Sequence, residues 1–249
     1  MQNVSLRDLG TIDYLSAWNY QESLLQENVN IKLAYNKISA ETSPAQAGFP
    51  VMDLPTINYL LLLEHPPVFT LGKSGSAENM LVSENTLDKK GIGFFKTNRG
   101  GDITFHGPGQ LVGYPILDLE KFYTDIGRYL RELEEVIILT IAAYGLKGAR
   151  SRGETGVWLD PDIPGKARKI CAMGVRCSRW ITMHGFALNV HTDLSYFDYI
   201  IPCGIMNKQV TSLQKELNIP VSMAEVKETF LLNFQEVFNV RLQPGMKPA

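Results

Sequence analysis

Three short segments of this chain carry side chains whose types and spacing could do chemistry. Pro202-Cys203-Gly204 sets a thiol on a turn, because proline fixes the entry and glycine frees the exit. A thiolate presented in that way is a nucleophile for acyl groups, although an arbitrary cysteine more often fills space as a small hydrophobe. Lys169 opens the largely apolar run Lys169-Ile170-Cys171-Ala172-Met173-Gly174-Val175-Arg176, 34 residues before Cys203. Taken alone it reads as a lysine snorkelling from a strand end. Arg99-Gly100-Gly101-Asp102-Ile103-Thr104-Phe105-His106-Gly107-Pro108-Gly109-Gln110 packs four glycines into twelve residues around an arginine, an aspartate and a histidine. Glycine content alone favours a solvated hairpin, but the combined density of glycine, arginine and histidine points to a loop whose backbone can approach a ligand closely. Cys171 and Cys177 lie inside strand-like runs and read as packing residues.

Other chemistries lack their residues. Gly72-Lys73-Ser74 resembles the end of a phosphate-binding loop, but that motif needs a glycine five positions before Gly72, where Pro67 stands. The histidines are His65, His106, His184 and His191, with no C-x-x-C or H-E-x-x-H spacing, so no metal site and no resident cofactor is expected.

The elements that must position these residues are partly readable. Asp13 to about Tyr35 reads as a helix with Leu15, Trp18 and Leu25 inward, and residues 37 to 56, small, polar and proline-bearing, as a long surface loop. Tyr59 to Glu64, Val68 to Leu71, Ile92 to Thr97, Ile103 to Phe105 and Leu111 to Leu117 are strand candidates. Ile126, Leu130, Leu133, Ile137, Ile141 and Tyr144 recur at steps of three and four and predict a helix over 124–144, with Arg128, Arg131, Glu132, Glu134 and Glu135 on its polar face and Gly145 as its stop. Lys169 to Arg176 and Ile181 to Val190, separated by Ser178-Arg179-Trp180, have the pattern of a hairpin. Ser222-Met223-Ala224-Glu225 fits a capping box opening a last helix to about Phe238. Strands and helices mix without strict alternation. The expected fold is therefore a single α+β domain over 1–249, with a mixed, mainly antiparallel sheet and helices packed on it.

Composition agrees with that class. The chain has 249 residues, 45% hydrophobic and 20% charged, enough to bury a substantial core. A formal net charge of −2 gives no general attraction to nucleic acid or to an anionic membrane. The apolar run Tyr59 to Leu63 is far too short to span a bilayer, and Met1 to Gly10 lacks the apolar core of a secretory signal. Three cysteines cannot all pair, so reduced thiols in the cytoplasm are expected.

Taken together, the motifs are far more specific than any one alone. Glu64 to Gly72, Arg99 to Pro115, Lys169-Ile170 through Gly174-Val175-Arg176, His184-Gly185-Phe186-Ala187-Leu188-Asn189-Val190 and Ile201 to Ile205 stand in the order that the lipoyl(octanoyl) transferase family shows. The chain resembles that family over about residues 59 to 213. The resemblance implies a fold similar to biotin and lipoate protein ligases, Cys203 as the acyl-thioester cysteine and Lys169 as its partner. It implies that Arg99, Gly100, Gly101, Asp102, Ile103, Thr104, Phe105 and His106, with Ala172, Met173, Gly174, Gly185, Phe186 and Ala187, line the acyl pocket. The implied donor is octanoyl-acyl carrier protein. The implied acceptors are lipoyl domains of 2-oxoacid dehydrogenase complexes and the glycine cleavage H protein. An ATP-dependent lipoate or biotin ligase would need to grip a nucleotide and has no use for a nucleophilic thiol. A non-catalytic octanoyl-binding module would tolerate loss of Cys203.

Overall fold

A computed structural model describes residues 1–41, 54–201 and 209–245, and for residues 38–41 the backbone alone. The strands are β1 (Gln2–Thr11), β2 (Asn58–Glu64), β3 (Val68–Leu71), β4 (Gly93–Lys96), β5 (Ile103–His106), β6 (Gln110–Ile116), β7 (Ala149–Ser151), β8 (Glu154–Leu159), β9 (Arg168–Ser178), β10 (Ile181–Asn189), β11 (Gln209–Val210) and β12 (Val240–Pro244). The helices are α1 (Tyr14–Glu41), α2 (Glu84–Lys89), α3 (Ile126–Ala142), α4 (Leu213–Leu217) and α5 (Met223–Phe238). Among the described residues, nine strands form one sheet in the order β12-β1-β2-β6-β10-β9-β8-β7, with β11 added beside β9. The pairs β12–β1, β1–β2 and β11–β9 are parallel and the others antiparallel, so the expected mixed α+β architecture is what the chain forms. A second small sheet runs β4-β3-β5.

The leucine run of β2 explains the layering. Successive side chains of a strand point to opposite faces. Leu60 and Leu62 pack with Leu133, Ile137, Phe230 and Phe234 of α3 and α5 on one face. Tyr59, Leu61 and Leu63 pack with Leu24 and Leu25 of α1 on the other. Both faces are covered, so the strand reads as a continuous apolar run rather than an alternation.

Local signals placed several elements well. Gly145 has φ +79°, Leu146 N–H bonds Ile141 O (3.2 Å) and Gly145 N–H bonds Ala142 O (2.9 Å), the paired bonds that close a helix over a left-handed glycine. Arg179 and Trp180 both have positive φ (49° and 64°), as a two-residue turn joining β9 to β10 requires. Ser222 caps α5 by accepting from Glu225 N–H.

Three expectations are corrected. α1 continues to Glu41, so the expected loop at 37–56 begins as helix, and its 42–53 portion lies outside the described residues. Leu15 is 48% exposed. The inward stripe of α1 is Ala17, Gln21, Leu24, Asn28 and Lys32, which includes three polar residues that hydrophobic periodicity does not register. Each of the three finds partners: Gln21 accepts from His184 N–H (2.9 Å), Asn28 exchanges two bonds with the Ile57 backbone, and Lys32 meets Asp118 (2.5 Å) and Glu120 (2.9 Å). Glu134 is fully buried instead of solvated. It accepts from Gly156 N–H (2.9 Å) and pairs with Arg131 (2.7 Å) and Arg150 (3.1 Å), which ties α3 to the β7–β8 hairpin. The Arg99–Gln110 segment passes between the two sheets: β5 pairs with β3 in the small sheet and β6 with β2 and β10 in the large one.

Candidate active site

A cavity of about 760 Å³ lies where the hairpin β9–β10, the loop 99–104 and the start of α3 meet. That is the usual size of a small-molecule site. Its lining includes Arg99, Gly100, Gly101, Asp102, Ile103, Thr104 and His106 from the glycine-rich segment. Lys169, Ala172, Met173 and Gly174 come from β9, and Gly185, Phe186 and Ala187 from β10. The β9 and β10 residues stand opposite one another: Ala172 against Ala187, Met173 against Phe186, Gly174 against Gly185. Phe105 is the exception among the expected pocket residues. Its ring is outside the cavity lining, stacks on Tyr196 (4.5 Å between centroids) and meets Phe69 at a tilt (5.2 Å). The alternation of β5 sends Ile103 and Phe105 into the core of the small sheet and leaves Thr104 and His106 to follow another face.

The loop over the cavity is braced by its own polar groups. Arg99 Nη2 donates to Thr70 O (2.7 Å), Thr70 Oγ1 (2.9 Å) and Asp102 O (2.8 Å), and Nη1 donates to Gly100 O (3.0 Å). Asp102 accepts from Ile103 N–H (2.6 Å) and from Asn79 Nδ2 (2.7 Å). Gly100 N–H bonds Val175 O (2.9 Å), which sets the loop down on β9. A Cβ on Gly174 would lie 2.6 Å from Gly100 O, so only glycine allows that approach.

One end of the cavity holds Lys169. Its ammonium sits 4.6 Å from the centroid of the buried Trp158 ring, a cation–π contact. Val210 of β11 lies opposite Lys169 across the ladder, and Thr211 N–H bonds the Lys169 carbonyl (3.0 Å). Along β9 the lining runs from Lys169 to Val175, six residue steps or about 20 Å. Toward Val175 lie Tyr14, Tyr114 and His184, a polar end that the motifs did not announce. Burial pushes His65 down to about 4 and both His106 and His184 down to about 3, so all three rings are neutral. His65 Nδ1–H donates to Ile12 O (2.7 Å), leaving Nε2 to accept from Tyr114 Oη (2.8 Å).

Other wall residues escaped the sequence reading for identifiable reasons. Ile126 and Leu130 belong to the apolar stripe of α3, where cavity wall and core look alike. Gln110, Tyr114, His184 and Asn189 sit inside motif segments, and their types were the available signal. Cys203 and its flanking Pro202 and Gly204 lie outside the described residues. Cys171 is fully buried in β9 and burial pushes its thiol well up, while the partly buried Cys177 is also raised, by burial first.

Residues 13–235 match the lipoyl protein ligase A/B catalytic domain. The chain belongs to that family. An octanoyltransferase from Christiangramia forsetii is 56% identical over 243 residues, covering 97% of this chain and 98% of its own length. One from Cytophaga hutchinsonii is 50% identical over 242 residues, covering 97% and 95%. The resemblance read from the motifs is therefore borne out. Among solved structures, a bi-partite lipoate protein ligase from Thermoplasma acidophilum shares the fold at TM-score 0.68 and 18% identity, covering 100% of this chain and 88% of that one. A lipoate-protein ligase A bound with ATP gives 0.67 at 18%, covering 100% and 90%. These two show that the family fold extends over the whole chain. No described helix is long and apolar enough to cross a membrane, and among the described residues no group of three or more His, Cys, Asp or Glu could hold a metal ion.

Proposed function

We propose that this member of the family is an octanoyltransferase of lipoate synthesis, an acyltransferase that carries the octanoyl group on Cys203 and passes it to a lysine of a lipoyl domain. The donor is octanoyl-acyl carrier protein. The acceptors are lipoyl domains of 2-oxoacid dehydrogenase complexes and the glycine cleavage H protein. In this reading residues 1–249 act as one catalytic domain, in the cytoplasm and without a cofactor. The observation that carries the reading is an apolar-walled cavity with a lysine at one end, in a chain whose relatives along nearly its full length are octanoyltransferases. Seven bonds of an extended acyl chain span roughly 8–9 Å, well within the cavity's length.

The chemistry follows from the two residues. A thiolate on Cys203 attacks the donor thioester, the carrier thiol leaves, and one thioester replaces another, so no nucleotide need drive the step. A free thiol with a pKa of about 8.5 is only roughly 3% ionised at pH 7. An ammonium about 4 Å away supplies on the order of 4 kcal/mol at an effective dielectric near 20, more than the ~2 kcal/mol that full ionisation needs. Acylation removes the sulfur's charge. The Lys169 ammonium gives its proton to the departing carrier thiolate, and the neutral amine so formed accepts one from the attacking amine as Cys203 leaves as thiolate. Covalent reach is compatible with the pairing: Cys203 stands seven residues before Val210, which lines the cavity opposite Lys169.

The test uses the intact chain and an octanoyl thioester with no ATP present. Intact-mass and peptide analysis should find one octanoyl adduct on Cys203, absent from Cys203→Ala, and transferable to a lipoyl domain. An adduct on Cys171 or Cys177 would displace Cys203 from its role. A strict ATP requirement would restore the ligase reading, and no adduct at all in a folded, octanoyl-binding protein would favour a binding module.

A further inference from the structure

Two amides that the acyl-transfer chemistry leaves unused are buried where β10 and β11 end. Gln110 is 1% and Asn189 3% exposed. Asn189 Nδ2 donates to the Thr211 carbonyl (2.9 Å), and its Oδ1 accepts from Gln110 Nε2 (2.8 Å). Gln110 Nε2 also donates to Phe105 O (3.1 Å), and Gln110 Oε1 faces His106 Nδ1 (2.8 Å). The ends of this chain fix its direction. The carbonyls of Thr211 and Phe105 can only accept, so each amide must turn its NH₂ toward them. Gln110 Oε1 is then left to accept from His106 Nδ1–H. The result is a single run of donors, His106 to Gln110 to Asn189 to Thr211, with every proton assigned. Such a run is stiff because turning any one member leaves a buried donor or acceptor without its partner.

Its far end bears on Lys169. β10 leaves the edge of β9 after Leu188, which stands opposite Cys171, and β11 takes that edge over with Gln209 opposite Arg168 and Val210 opposite Lys169. Two backbone bonds secure β11, Gln209 N–H to Ala167 O (3.1 Å) and Thr211 N–H to Lys169 O (3.0 Å). A strand of two residues is weakly held by its ladder alone. Asn189, the last residue of β10, bonds the carbonyl of Thr211, the residue that follows β11.

We propose that Asn189, oriented by Gln110, is a positioning residue for acyl transfer: it holds β11 in register against Lys169 and so sets the lysine relative to the thiol that precedes β11 in the chain. This rests on Cys203 and Lys169 acting as a pair. The same run of bonds ties His106, in the wall of the cavity, to that strand. The acyl-binding wall and the lysine are thereby referred to one rigid line of side chains.

Two variants test it. Asn189→Leu removes both of its hydrogen bonds at similar volume. Gln110→Met leaves the Asn189–Thr211 bond in place while removing the bond that orients Asn189 and the bonds of Gln110 to Phe105 O and His106, so its effect on Lys169 should be the smaller one. Alkylation of Cys203 by iodoacetamide, mapped by peptide mass and followed from pH 6 to 10, reports the thiolate directly. In the parent the thiolate should persist below the free-thiol pKa of about 8.5. In Asn189→Leu the profile should move up by about one unit, slowing octanoylation at pH 7 by up to about tenfold and recovering at high pH. Mere loss of structure would lower the reactive fraction equally at every pH. Folded Asn189→Leu and Gln110→Met proteins whose Cys203 profiles superpose on the parent's would overturn the proposal, and the second variant alone decides it if the first does not fold. A parent that forms no octanoyl-Cys203 overturns the function reading and this proposal with it. A parent that does, with both variant profiles unchanged, overturns this proposal alone.

Discussion

The Lys169 ammonium rests against the Trp158 ring, at the end of a cavity whose walls are otherwise largely apolar. Indole offers the cation a π-face. A charge held that way can respond to whether a thiolate stands beside it. Lys169→Met should therefore lower single-turnover octanoylation up to about thirtyfold at pH 7, the ratio of full to ~3% ionisation, and the deficit should close as pH rises past about 8.5. Lys169→Arg keeps the positive charge, so it should retain part of the octanoylation rate. It should fail in the second half-reaction, because a guanidinium cannot take a proton near neutral pH. Running the two half-reactions separately across pH distinguishes the roles. A methionine variant with the parent's rate and pH profile would remove the pairing, and an arginine variant competent in transfer would remove the base and leave the electrostatic role.

At the scale of elements, the site depends on one loop lying flat on one strand. Gly100 N–H reaches Val175 O, and Gly174 leaves room for the Gly100 carbonyl. Gly174→Ala should lift residues 99–101 from β9, raising the KM for the octanoyl donor at a stability cost of about 1–3 kcal/mol. Titrating the donor alongside a denaturant melt separates the two effects, and an unchanged KM would mean that this contact does not shape the acyl wall. The contact also marks what sequence could and could not tell. Elements written in local signals were legible: the stripe and glycine stop of α3, the turn at Arg179–Trp180, the cap at Ser222. Elements whose pairing is remote were not. β1 and β12 pair in parallel across more than two hundred residues, and a sequence carries no local mark of that partnership. Charge misled at Glu134, because its burial depends on Arg150, sixteen residues away. The pocket segments were recognised through family resemblance, whereas their convergence joins residues as distant as Gln110 and Asn189. Phe105 shows the limit of that route, since a motif names a segment while packing in the core of the small sheet takes one of its side chains out of the cavity wall.

Over the whole molecule, the two sheets and α1 meet around His65, His106 and His184, stacked among Tyr14, Tyr114 and Trp18. Burial is the first cause of depression at all three, with nearby Arg99 adding to it at His106 and His184. In the unfolded chain each ring regains a pKa of about 6.5. The stability tied to these rings is therefore complete above about pH 6.5 and is lost as pH falls toward the folded values of about 4 and 3, because the unfolded state takes up protons that the folded state refuses. Each ring contributes a slope of about 1.4 kcal/mol per pH unit once past its unfolded pKa, so three together cost about 6 kcal/mol by pH 5. That is comparable to the whole stability of an ordinary domain. Glu134, raised first by burial, runs the other way and offsets a little of the loss near pH 5. Asp13, Asp193 and Glu216, held low by hydrogen bonds, add to it mainly below about pH 4. Acid unfolding followed by near-ultraviolet circular dichroism should thus fall between about pH 4 and 6, steeper than carboxylates alone would give. His184 has φ +59°, a conformation that asparagine tolerates, and its Nε2–H donates to Asn98 Oδ1 (2.7 Å). His184→Asn should accordingly keep the backbone and remove one titrating ring. Denaturant melts at half-unit steps from pH 4.5 to 7 should then show the slope of stability against pH fall by about one third. A slope unchanged by that substitution would mean that His184 is solvated enough to hold its proton in the folded protein.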